Sequence, residues 1–188
     1  MEKHWQKAQR VGKREESFVL LLRGIGYCLK ENYPAALSTL SKSLELRRNL
    51  LPESEDVAIA LSWLAKTERK AGNWEVAERY YREALRVAEA VNFDEGVATY
   101  LGHLGALCLD KKDWLEAEVL VRSALEIAEK VSREDLIAIE CQRIALALIR
   151  QGKSAEALPY AQRSVEIYER LGSPDFEEAR ATLRECES

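Results

Sequence analysis

Residues 72–90 read GNWEVAERYYREALRVAEA and residues 112–130 read KDWLEAEVLVRSALEIAEK, with Trp, Ala and Glu at the same offsets forty residues apart. Within each stretch the apolar positions keep the spacing of an amphipathic helix. Laid on itself, the chain shows one such position four times, at Ala36, Ala77, Ala117 and Ala157, separated by 41, 40 and 40 residues. Twelve residues before each lies a second small residue (Gly24, Ala65, Gly105, Ala145), and seven after each lies a third (Ser43, Ala84, Ala124, Ser164). Small residues at fixed heights are what closely crossing helices require, because a larger side chain at the contact holds the two backbones apart. Bulkier apolar groups surround them at helical spacing: Leu61 and Leu64 on one segment, Tyr81 and Leu85 on the next, with Glu68 as the exception to the stripe.

Between the first and second small-residue clusters come the turns AGNW, DKKDW and RQGKS, where Asn32, Asn73 and Asp113 stand at the place of a helix N-cap. The longer connections LLPESED, VNFDEG, KVSRED and LGSPD carry the Pro, Asn, Gly and Ser that stop one helix or start the next. Each repeat is therefore expected to be two antiparallel helices. Such a pair cannot bury its apolar face alone, so neighbours must stack. The expected fold is all-α: an αα solenoid of about four helix-turn-helix repeats over 14–52, 53–92, 93–132 and 133–172. A C-terminal capping helix is expected over 173–188, with Pro174 in its first turn. Residues 1–13, with Trp5 and Ala8, fall in register with the second half of a preceding outer helix, so the chain reads as starting inside an array. Pro159 is expected to kink the outer helix of the fourth repeat.

Composition narrows the function. The 188 residues are 47% hydrophobic and 32% charged, with a formal net charge of −4, the balance of a globular chain rather than a general nucleic-acid binder. The longest apolar run, Phe18–Leu22, is far below a bilayer span, and the polar opening MEKHWQKAQRVGKREE is unlike a signal peptide, so neither a membrane nor an export route is expected, and the cytoplasm is. Cys28, Cys108, Cys141 and Cys186 are dispersed without a CxxC, and with two histidines no metal site is expected. The nearest approach to a phosphate loop, ALIRQGKS (147–154), has Ala147 in place of the first Gly and follows a helical pattern rather than a strand. His103 and Cys108 stand five apart and so point to different sides of a helix. No enzyme activity and no cofactor are expected.

The pattern small-x(11)-Ala-x(6)-small, with Trp74 and Trp114 in the inter-helix turns, resembles the tetratricopeptide repeat over about residues 14–171. The period exceeds the ~34 residues usual for that family, as in arrays similar to kinesin light chain and to the carboxy-terminal arrays of bacterial NLR-like signalling ATPases. The resemblance implies a right-handed superhelix whose first helices line a concave groove. Groove positions carried over from the family name Phe18, Leu21, Ile25 and Cys28; Ile59, Ser62, Lys66 and Arg69; Thr99, Gly102, Ala106 and Leu109; and Ile139, Gln142, Leu146 and Ile149. Beside them lie Leu22, Trp63, His103 and Arg143, where related arrays often carry an Asn that clamps a peptide backbone. None is Asn here.

The expected function is non-catalytic protein-protein interaction, with a peptide or helix held in the groove; the alternative is a sensor module within a larger signalling ATPase. Lys66, Arg69, Lys70, Arg143 and Arg150 form a local basic group that favours an acidic partner, with Ile139, Leu146 and Ile149 giving apolar contact. The first repeat departs from the others in its nearly unbroken apolar inner face, Phe18, Leu21, Leu22 and Ile25, for which a homodimer through that repeat is one expected cover.

Overall fold

The computed structural model describes residues 2–187, with side chains from residue 11 onward. Among the described residues it contains nine α-helices joined by short turns: α1 (Glu2–Leu29), α2 (Tyr33–Leu50), α3 (Glu55–Lys70), α4 (Trp74–Ala90), α5 (Asp94–Asp110), α6 (Trp114–Lys130), α7 (Glu134–Arg150), α8 (Ser154–Leu171) and α9 (Phe176–Glu187). They form sequential antiparallel pairs, four helix-turn-helix repeats and a C-terminal helix. The chain divides into two compact units, Met1–Gly96 and Val97–Ser188, with the boundary inside α5.

In the first unit α2 packs on α1 and α3, α4 packs on α3, and α1 also touches α3. The small residues sit at these crossings: Ala36, Ala65, Ala77, Ser43 and Ala84 are fully buried. Gly24 shows why the height matters, since a Cβ there would run into Leu40 on α2. Ser43 is polar yet buried because its hydroxyl donates to the Ser17 carbonyl on α1 at 2.7 Å.

The second unit is built the same way. Here α7 packs on α6 and α8, and α9 closes against α8 and α7. Val121 on α6 leaves no room for a Cβ at Gly105 on α5. Ser164 repeats the device of Ser43, donating to the Ala138 carbonyl at 2.9 Å. Val121, Leu125, Ile137, Ile144, Leu148 and Ile167 fill the core between these small contacts.

Every turn between paired helices places one residue in the left-handed region: Glu31, Gly72, Lys112 and Gly152. Asn32 and Asp113 cap α2 and α6, accepting from the Ala35 and Glu116 amides at 3.3 Å. Asn73, expected to do the same for α4, makes no cap bond. It donates instead to Glu68 at 2.7 Å, which accounts for the one acidic residue in the apolar stripe of α3.

Two further expectations change, and Pro159 falls where it was expected, within the outer helix of the fourth repeat. No break separates residues 1–13 from the first repeat, because α1 runs through as one helix of 28 residues; the side chains of Trp5 and Ala8 lie outside those described. Pro174 is in the turn before α9 rather than in its first turn. Pro159 lies inside α8, which continues to Leu171; Pro159 and Ala155 are both exposed, so water can take the carbonyl that a missing amide leaves open.

Candidate functional site

In the first unit the exposed stripe of α3 runs from Asp56 through Ile59, Trp63 and Lys66 to Lys70, the three-and-four spacing of one helix face. Ile59, Trp63, Lys66 and Arg69 are half-buried. The Lys66 ammonium stands 4.7 Å from the centre of the Trp63 ring, a cation–π contact that covers an apolar surface with a charged one. On α1 the corresponding positions are Phe18, Leu22 and Leu29, which are 54%, 52% and 66% exposed. Two neighbouring first helices thus present aromatic and aliphatic side chains with cationic punctuation.

In the second unit the same register on α7 holds Ile139, Arg143, Leu146 and Arg150, and on α5 it holds Thr99 and His103. The cations of α7 are already engaged. Arg150 pairs with Glu185 on α9, and Arg143 Nη1 donates to Glu140 Oε1 at 2.7 Å. Glu140 is 1% exposed, its other oxygen has no partner, and burial pushes its carboxyl up to about 7 against the pull of Arg143. A Cβ on Gly102 would strike this carboxyl, so the absent side chain on α5 is what admits an acidic group there.

The model described as tetratricopeptide repeat matches residues 15–90, 56–130 and 94–170. The chain belongs to the tetratricopeptide repeat family. No curated protein matches the sequence. Among solved structures it is similar to a Rap protein complexed with competence and sporulation factor (TM-score 0.81, 15% identity, 92% of this chain and 52% of that one). It is also similar to aspartyl phosphate phosphatase F from Bacillus subtilis (TM-score 0.77, 17% identity, 93% and 46%). A third likeness is to the nearly identical TPR-like repeats of a putative kinesin light chain from Podosopora anserina (TM-score 0.73, 15% identity, 89% and 83%). The chain spans about half the length of the first two.

Within the tetratricopeptide register, one of the expected groove positions turns inward. Leu21, Ser62, Gly102 and Gln142, three residues before the first small residue, are all buried. At this height the helix faces its neighbours, as the tight approach of Gly102 to Glu140 on α7 shows. Leu21 is accordingly core rather than part of a self-association face, whereas Phe18 and Leu22 are exposed and Ile25 is half-buried. Cys28 and Ala106 are buried as well. The residues two before the small one, Leu22, Trp63, His103 and Arg143, all retain exposure.

The basic group is also redistributed. Lys66, Arg69 and Lys70 belong to the first unit, while Arg143 and Arg150 belong to the second, each beside a carboxylate. Two charged residues escaped the sequence reading. Glu140 stands where the earlier repeats have Val19, Ala60 and Tyr100, and Arg47 stands where the later repeats have Ala88, Ala128 and Tyr168. A charge at an otherwise apolar height was the available signal in both cases. ALIRQGKS is the end of α7, a turn and the first residue of α8, with no strand before it.

Proposed function

We propose that this tetratricopeptide repeat chain is a non-catalytic interaction module that holds an extended or helical protein segment along the exposed faces of its first helices. The observation that carries this reading is the stripe of the first unit, where Trp63 under Lys66 stands in the register of the exposed Phe18 and Leu22. Aromatic anchors ringed by cations are the composition of binding hot spots. Support comes from the fold as well, since a structurally similar Rap protein is complexed with competence and sporulation factor.

The acidic character of the partner rests on the run of cations in the last turns of α3, Lys66, Arg69 and Lys70. Apolar contact in the second unit falls to Ile139, Leu146 and Ile149, which are half-buried. The test is affinity purification with mass spectrometry on the wild type, Trp63→Ala, and the double reversal Lys66→Glu with Lys70→Glu on the exposed end of α3. The expected outcome is loss of the same partners in both variants with unchanged melting temperature. Partners captured at wild-type levels by both would overturn the reading.

A further inference from the structure

At the corner where α2 ends and α3 begins, the first unit forms a solvent-open cavity of about 650 Å³. Val11, Leu50, Ile59 and Val91 form its apolar wall, and Arg14, Arg47 and Asp56 form its polar one. Arg47 is the unusual member: its side chain is only 4% exposed. Its Nη1 donates to Asp56, at 3.0 Å to the carboxylate and 2.6 Å to the carbonyl, and its Nε is buried with no partner.

A buried guanidinium is a poor way to stabilise a helix junction, since its desolvation cancels much of what a partner returns. The same height is filled by Ala88, Ala128 and Tyr168 in the later repeats, so packing there does not demand a cation. Charge counting points the same way. Arg14 approaches the same carboxylate at 3.9 Å, giving two guanidinium groups to one Asp56. Burial lowers the Arg47 pKa, Asp56 restores only part of it, and the nearby charge of Arg14 lowers it further. Around Asp56 alone the balance is one positive charge in excess; Glu53 and Glu55 complete the lining and Ser54 already caps α3, so the opening for an anion lies between the two guanidinium groups and not at the helix end.

The rest of the lining limits what that anion can be. Glu53 lines the cavity while engaged with Arg86 at 2.9 Å, and Glu55 is exposed at its edge, so a second negative charge on the ligand would meet carboxylates. The aliphatic wall asks for an apolar body attached to the charged end. We propose that this corner is a small-molecule site for an amphiphilic monocarboxylate, its carboxylate received between Arg14 and Arg47 and its aliphatic chain laid against Leu50, Ile59 and Val91.

Four probes test this by calorimetric titration and amide chemical-shift mapping of the full chain: octanoate, octanamide, acetate and octanedioate. Octanoate is expected to bind at least tenfold more tightly than each of the others, with shifts centred on the end of α2 and the start of α3. Arg47→Met should erase the preference for acid over amide. Arg14 is 78% exposed, so Arg14→Gln should weaken octanoate several-fold without moving the ligand-free melting temperature, and it decides the matter where the Arg47 variant does not fold. Equal binding of acid and amide, or of octanoate and acetate, overturns the proposal. So does an octanoate affinity unchanged by Arg14→Gln, shifts confined to other helices, or no binding of any probe.

Discussion

Among the described residues each unit buries one charge, and the two charges have opposite sign. The first buries Arg47 against the half-exposed Asp56, and the second buries Glu140 against the partly exposed Arg143. Only the second can shed its charge at ordinary pH. Arginine stays protonated throughout, whereas burial has already brought Glu140 to about 7. One register position makes the contrast sharper: Val19 is 61% exposed while Glu140, at the same height in the last repeat, is 1% exposed. In a stacked array the neighbouring helix decides what is buried, and the polarity of the residue follows only when nothing else intervenes.

Both units follow the same packing rule at their helix crossings. Ala77 and Ala117 are each fully buried at a helix crossing. Replacing either with Leu should cost roughly 3 kcal/mol or more in urea melts, at the upper end of overpacking penalties. Leu at the exposed Glu116 should cost less than about 0.5 kcal/mol. Unequal losses at Ala77 and Ala117 would mean that the units do not share a packing rule.

The next effect concerns the pairs themselves. Asp56→Ala leaves Arg47 charged and without its carboxylate, and should destabilise by about 2–3 kcal/mol, less than for a fully enclosed pair because Asp56 is 45% exposed. The loss should be nearly constant from pH 6 to pH 9, since the group left behind does not titrate there.

Glu140→Gln should behave in the opposite sense. The folded carboxyl lies at about 7, above its ordinary 4.5, so the stability linked to its protonated form is complete below about pH 4.5 and is lost as pH rises through 7. The variant is therefore expected to match the wild type at pH 5 and to exceed it at pH 8 by on the order of 2 kcal/mol. A wild-type stability that does not fall between pH 5 and pH 8 would show that Arg143 holds the carboxylate ionised.

Much of this was legible in the letters. The recurring small residues announced the crossings, and Asn32 and Asp113 announced the turns, because close backbone approach and orphan helix amides each tolerate few residue types. The inward turn of Ser62 and Gln142 was not legible. A polar residue on an amphipathic helix reads as solvent-facing until the next helix is in place. Arg47 and Glu140 were legible only as charges at heights that are otherwise apolar; that they are buried depends on the neighbouring helices.

The sequence by itself determined the repeat, its period, its helical pairs and the heights at which they touch, since these follow from local periodicity and from the size of side chains that permit contact. Only the tertiary structure decided which charges are enclosed, which cations are neutralised and where a cavity remains. Those depend on distances between residues far apart in the chain, and no local pattern encodes them.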